Sequence, residues 1–294
     1  MKAVRRSFNI CVIGAGGVGT TLAFLLHRSG NKIVAVVSKN KRSAIKCGRA
    51  VSCMICSDDL SVIPSSCDLV LIAVPDQSIR SVAKSLAAVP ALRLERIFVF
   101  HTSGAMTSDA LEPVARKGAK VFSLHPVQTF PRQNTLKDQL ATMKGVTFGF
   151  EGPEGSRATA KLLVRQMGGE FLFIPKEAKI LYHLACVIAS NYSVTLVGAL
   201  DSIADTITRK KIQPFRKLLL TSIENAMKMG AGKALTGPIA RGDSEIVREH
   251  LNAIQEPELR MLYKSLGAYT LKLAIQENRL KTEEIASLRE LLGA

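Results

Sequence analysis

The sequence contains no tryptophan, and aromatic residues make up only 5% of its 294 positions. Platforms on which nucleic-acid bases could stack are therefore scarce, and no nucleic-acid-binding motif is present. Acidic residues are also in short supply, 24 against 40 Lys and Arg, which leaves a formal charge of +16. The imbalance is concentrated early. Residues 1–175 carry 23 bases against 11 acids, and residues 176–294 carry 17 against 13. A positive excess gathers anions of any kind, and a phosphate-bearing small molecule meets it as well as a nucleic acid does. Cysteine is limited to six residues without a framework spacing, which argues for reduced thiols. Cys53 and Cys56 form a C-x-x-C, but no second Cys pair or nearby His completes a zinc set, so no metal is expected. Residues 1–9 are basic and lead straight into a strand-like run rather than a cleavable apolar segment, so a cytoplasmic location is expected.

Charge is missing altogether from residues 180–200, a stretch long enough to span a membrane. It nevertheless holds His183, Ser190, Asn191 and Ser193, and no second stretch resembles it. A helix apolar on most sides is equally expected inside a helical domain or at a subunit interface. The expectation is a buried helix and no membrane.

What is present reads as two regions. Short Val- and Ile-rich runs at 8–13, 33–37, 69–74, 97–100, 120–124, 146–150 and 170–174 alternate with helical patterns at 19–28, 77–88, 107–117 and 155–167. Such alternation implies an α/β domain with a doubly wound, mostly parallel sheet of the Rossmann type. After Pro175 no strand pattern returns. Helical patterns cover 176–208, 214–229, 245–253, 256–275 and 282–292, so an all-α domain over 176–294 follows a nucleotide-binding domain over 1–175.

The most informative motif lies in I-G-A-G-G-V-G, where Gly14, Gly16 and Gly19 make a G-x-G-x-x-G between a strand and a helix. In that context Gly14 permits a tight turn, Gly16 lets backbone approach a pyrophosphate, and Gly19 lets helix pack on strand. Gly17 and Val18 at the helix start then offer N–H groups and a positive dipole end to phosphate. The second strand ends in V-V-S-K-N-K-R, with Ser38 where an NAD site places an acid on the ribose diol. A hydroxyl with neighbouring bases suits a 2′-phosphate instead, so Ser38, Lys39 and Arg42 point to NADP. Val74 and Pro75 end the next long strand and border the same ligand.

Two further strands end in F-H-T-S-G-A and S-L-H-P-V-Q-T-F, which places Ser103 and His125 on that rim. The apolar helix after Pro175 carries Lys179, Tyr182, His183 and Asn191 at spacings that bring them near one face. Polar groups there must pair or face a cleft. A lysine partly desolvated in a cleft has its pKa lowered toward working pH and can exchange protons. Arg241, in L-T-G-P-I-A-R-G-D, is a candidate anion clamp.

These motifs together, with Y-H-L-A-C-V-I-A-S-N-Y, resemble a family that pairs a Rossmann-like N-terminal domain with a C-terminal helical domain of unknown function. The architecture is similar to the wider 6-phosphogluconate dehydrogenase superfamily, which includes β-hydroxyacid dehydrogenases, pyrroline-5-carboxylate reductase and prephenate dehydrogenase. The resemblance implies a homodimer formed through the helical domain. It also aligns Lys179 and His183 with a K-x-x-x-N in which the lysine is the general acid or base, although His183 replaces the Asn. The expected function is NADP-dependent hydride transfer to or from a small anionic carbonyl, hydroxyl or imine substrate. Lys179 and His183 would then be catalytic, and Ser103, His125, Asn191 and Arg241 would bind substrate. The alternative from another class is an NADP(H)-binding sensor that catalyses nothing.

Overall fold

The structure, a computed structural model, describes residues 7–294. The basic residues 1–6 lie outside the described part. Two compact units divide between Asn191 and Tyr192. In the first, eight strands form one sheet: β1 (Asn9–Ile13), β2 (Lys32–Val37), β3 (Cys56–Ser57), β4 (Leu69–Ile72), β5 (Phe98–His101), β6 (Lys120–Pro126), β7 (Thr147–Glu151) and β8 (Glu170–Phe173). Their order is β3-β2-β1-β4-β5-β6-β7-β8, and the β6–β7 pair alone is antiparallel. The seven expected strands are present, and the two-residue edge strand β3 adds an eighth.

The helices of this unit are α1 (Gly17–Arg28), α2 (Lys41–Ala50), α3 (Asp76–Ala87), α4 (Glu112–Ala115), α5 (Leu136–Ala141), α6 (Glu154–Gln166) and α7 (Lys179–Val187). Both faces of the sheet are covered, as its near-continuous apolar strands require. On one face Val12, Leu71, Phe100, Phe122 and Phe150 pack with Leu22 and Leu163. Phe100 and Phe122 stack there at 5.1 Å and 10°. On the other face Cys11, Val70, Ile72 and Val99 pack with Ile79 and Leu86. Each such side chain contributes about 1.5–3 kcal/mol on burial.

Three differences from the sequence reading have local causes. The segment 41–50, read as a basic run, is helix α2. Its buried face is only Ala44, Cys47 and Gly48, so it gives little apolar period, and Asn40 starts it by accepting from the Ser43 N–H at 3.2 Å. The expected helix at 107–117 is a 3₁₀ turn (Ser108–Leu111) followed by the four residues of α4. The helical stretch 176–208 is interrupted by a π-helical segment, Ile188–Tyr192, a form of insertion that often marks functional positions.

The second unit comprises α8 (Ser193–Thr208), α9 (Arg216–Met229), α10 (Ala231–Ala234), α11 (Ser244–Ala253), α12 (Pro257–Gln276) and α13 (Thr282–Leu292). Val247, Leu251, Leu271, Leu288 and Leu292 form its core. The stretch Lys176–Thr208 contains an 18-residue window with a mean hydropathy of 1.5 and is long and apolar enough to cross a membrane by length and composition. The expectation that it is buried within the chain is not met. Ile180, Leu181, Ile188, Tyr192, Val194 and Ile207 are all more than half exposed.

Candidate active site

The glycine turn forms as its spacing requires. Gly14 has φ +100°, and a Cβ there would lie 2.6 Å from the Ala73 carbonyl carbon on β4's end. Its N–H donates to the Val37 carbonyl at 2.8 Å, which ties β1 to β2 at the rim. A Cβ on Gly19 would run into the Gly14 carbonyl oxygen, so helix and turn touch through bare backbone. Gly16 is different: nothing lies within 4 Å of where its Cβ would be. It is the N-cap of α1, no side chain caps that helix, and no acid occupies its first turn. The first N–H groups of α1 are therefore available to an anion. Gly17, next along, lies against Gln139 of α5, whose Oε1 accepts from Thr21 of α1 at 2.8 Å.

A cavity of about 570 Å³ opens beside this turn, off the carboxyl ends of β1, β2 and β4. Gly14, Gly16, Ser38, Lys39, Val74 and Pro75 are on its wall. Gly17, Val18, Gly19 and Arg42 are not, and Arg42 is exposed in the first turn of α2. The wall also includes Asp58, which sequence reasoning missed. The Ser38 N–H donates to the Ser57 carbonyl at 2.9 Å, so Asp58 follows β3 just beyond the residue bonded to Ser38. Asp58 is the first acid in the chain. A two-residue edge strand leaves almost no sequence signal for it. Open space at Gly16, an uncapped helix start and a cavity of this size fit a dinucleotide.

A second set of polar groups occupies the ends of β5, β6 and β7 and the start of α7. His101 is fully buried, its Nδ1 3.2 Å from the Ser103 N–H and its Nε2 3.0 Å from the Thr107 carbonyl. Burial lowers its pKa to about 4. Ser103 donates its hydroxyl to Asp76 at 2.8 Å and accepts from the Ala105 and Met106 N–H groups, fixing the 103–106 loop. Glu151, buried at the end of β7, accepts from both the N–H and the hydroxyl of Ser108 and anchors the other side of that loop.

Lys179 opens α7 and is only 1% exposed. Its Nζ donates to the Ser123 hydroxyl at 2.8 Å, and Ser123 donates in turn to the Ser103 carbonyl at 3.1 Å. Burial lowers the Lys179 pKa from 10.5 to about 8, against the pull of Glu151, Cys186 and Asp76. Ser123 is the polar residue of an otherwise apolar strand, V-F-S-L, and that interruption was its signal in the sequence.

His125, two residues further along β6, places Nδ1 2.7 Å from the Tyr182 hydroxyl. Its other edge faces Gly104, where a Cβ would lie 3.0 Å from Nε2 and 2.7 Å from His183 Cδ2. Burial lowers the His125 pKa to about 4, helped by Lys179, His183 and His101. The first unit thus gathers Ser103, His125, Lys179 and His183 around one turn. Asn191 is exposed in the π segment, its Oδ1 accepting from Ser190 at 2.9 Å. Arg241 belongs to the second unit and is exposed at the end of a 3₁₀ turn. Among the described residues, no group of three or more His, Cys, Asp or Glu could hold a metal ion.

Two family models match the chain. Residues 2–126 match the model of a Rossmann-like domain, and residues 146–270 match a domain of unknown function, DUF2520. No curated protein matches the chain. A provisionally named NADP oxidoreductase from Bacteroides fragilis has a similar structure, with a TM-score of 0.76 at 21% identity over 90% of this chain and 98% of its own. Protein TM1727 from Thermotoga maritima has a TM-score of 0.70 at 25% identity, covering 92% of this chain and 100% of its own. Prephenate dehydrogenase from A. aeolicus, solved with hydroxyphenyl propionate and NAD+, has a TM-score of 0.55 at 16% identity, over 99% of this chain and 92% of its own. At these identities the likeness is one of fold. Both models are matched in order, a Rossmann-like domain followed by a DUF2520 domain.

Proposed function

We propose that the protein is an NADP-dependent oxidoreductase, acting in the cytoplasm on a small anionic carbonyl, hydroxyl or imine compound. One observation carries the reading. The first unit holds both a glycine turn left open at Gly16 and, at neighbouring strand ends, His125 and His183 against Gly104, with Lys179 bonded through Ser123 to the carbonyl of Ser103. A nicotinamide bound there supplies or takes a hydride. The α1 N–H groups hold its pyrophosphate, and Ser38 and Lys39, with Arg42 alongside, take the 2′-phosphate. Asp58 opposes that phosphate and limits the preference over NAD.

Of the two residues expected to exchange the proton, His183 is half-buried beside Gly104 and meets the substrate. Lys179, shut off from solvent, biases His125 with its charge. His125 orients the substrate, and Ser103 shapes the loop it rests on. Asn191 holds its anionic end, and Arg241 of the second unit is a separate candidate for binding an anion. A homodimer through the helical domain would cover exposed apolar residues such as Val194 and Ile207, with neither membrane nor nucleic acid as partner. The burial of Lys179 also favours a second reading, a sensor that binds NADP(H) and reacts with nothing.

Fluorescence titration with NADPH, followed by its oxidation in the presence of keto acids and cyclic imines, separates the two. Turnover with any compound supports the enzyme. Tight binding with no turnover across the panel favours the sensor. Failure to bind either reduced cofactor refutes both.

A further inference from the structure

His125 has a hydrogen-bonded edge and a free edge, and Tyr182 decides which proton each carries. The Tyr182 hydroxyl sits 2.7 Å from Nδ1, with the two rings perpendicular at 88° and centroids 5.6 Å apart. No other hydrogen bond to this ring is present among the described residues. The hydroxyl reaches that point because Gly149 has no side chain. Gly149 is the residue of β7 paired with His125 across the antiparallel ladder, and a Cβ there would lie 2.6 Å from Tyr182 Cζ. A phenol is a better donor than a neutral imidazole N–H, and an imidazole nitrogen is a better acceptor than a phenol oxygen. The shared proton therefore belongs to tyrosine.

The geometry points to Tyr182 as a positioning residue that donates its hydroxyl hydrogen bond to Nδ1 and leaves the imidazole proton on Nε2, making His125 a neutral donor toward an oxygen at the Gly104 turn. Burial keeps Tyr182 protonated, pushing its pKa up, with Cys186 acting in the same direction. The groups that act electrostatically on His125 are Lys179, His183 and His101, and all three disfavour its protonation.

This rests on the oxidoreductase reading and narrows its substrate class. An Nε2–H can bond a carbonyl oxygen or the alkoxide that it becomes, both of which have lone pairs. A protonated imine nitrogen has none to offer, and the ammonium of Lys179 repels its charge. In the reducing direction a hydride adds to the carbonyl carbon and the C=O π pair moves to oxygen. That oxygen is held by His125 Nε2–H and receives its proton from His183, which regains one from solvent. The substrate class is then a small carbonyl compound, or the matching alcohol, in preference to a cyclic imine.

The test is the tautomer itself, read from long-range ¹H–¹⁵N spectra of histidine-labelled protein. The expected pattern for His125 is Nε2–H from neutral pH down to about 5, changing to a mixed pattern in Tyr182→Phe. That variant should also lose about tenfold or more in carbonyl turnover, the low end for loss of a preorganised donor, with NADPH affinity within about twofold. An Nδ1–H tautomer in the unmodified protein overturns the proposal without any variant. So does a Tyr182→Phe spectrum that is unchanged. Imine turnover exceeding carbonyl turnover overturns the substrate class. Should no compound react, the oxidoreductase reading fails while the spectra still judge the Tyr182–His125 pair.

Discussion

Replacing Lys179 by methionine separates stability from function, because the two should move in opposite directions. Lys179 is 1% exposed, its ammonium donates to Ser123, and burial takes its pKa from 10.5 to about 8. At about 1.4 kcal/mol per pKa unit, keeping that charge in the folded protein at neutral pH costs about 3 kcal/mol. Methionine fills nearly the same space without the charge. It removes a charge-assisted hydrogen bond worth about 1.5–3 kcal/mol, and Ser123 retains its own bond to the Ser103 carbonyl. The net effect of Lys179→Met near pH 7 is thus neutral to stabilising by about 1–2 kcal/mol, a Tm gain of up to about 4–8 °C at the usual scale. The dependence on pH carries the sharper signature. The unfolded lysine binds its proton up to about 10.5 while the folded one releases it near 8, so between these values the unfolded state holds more protons and unmodified stability rises with pH. The gap between the two proteins should shift by about 3 kcal/mol in favour of the unmodified one over that window. Turnover should fall at least about tenfold if the charge biases His125 toward its role. Thermal scans at pH 7 and pH 10, with NADPH oxidation at pH 7, provide the assay. A variant more than 2 kcal/mol less stable at pH 7, with unchanged turnover, would refute the reasoning.

Gly104→Ala would place a methyl 2.7 Å from His183 Cδ2 and 3.0 Å from His125 Nε2. Overpacking should cost about 1–3 kcal/mol, and displacement of both imidazoles should cut turnover at least about tenfold while NADPH binds as before. A fall in cofactor affinity matching the fall in turnover would count against the assignment of this turn to the substrate. At the other end of the site, Lys39→Ala should weaken NADPH binding about tenfold and leave NADH nearly unaffected, as expected for one charge-assisted bond to phosphate. Asp58→Asn should act oppositely and strengthen NADPH binding several-fold. Paired titrations with both cofactors measure each effect, and equal changes for NADH and NADPH would show that neither residue reads the 2′-phosphate.

The sheet was legible because its strands are buried on both faces, so Val and Ile run almost unbroken and turns punctuate them. The glycine turn was legible because each glycine answers a different contact: backbone against Gly14, helix packing against Gly19, empty space at Gly16. The substrate side was harder to read. Ser123 and Glu151 are paired across β6 and β7, and no local spacing announces an antiparallel register at the end of a parallel sheet. Asp58 depends on the pairing of a two-residue strand. Helix α2 hid behind its charges because its buried face is made of small residues.

Helix α7 shows why a one-dimensional reading of hydropathy misled on burial. Lys179, Tyr182, His183 and Cys186 recur at helical spacing, and this polar face is the one turned toward the sheet, where Ser123, His125 and Gly104 satisfy it. Ile180, Leu181, Leu184 and Ile188 occupy the other face and are 45–68% exposed. The usual order of an amphipathic helix is therefore reversed: polar groups face inward because they form a site, and apolar groups face outward. Scattered apolar residues on a surface need no explanation, but four on one face of a single helix do. A second copy laid on that stripe would cover the apolar face without disturbing the polar one. Under the homodimer proposal the absence of charge from 180–200 would belong to an interface, and the polar residues of α7 to the site.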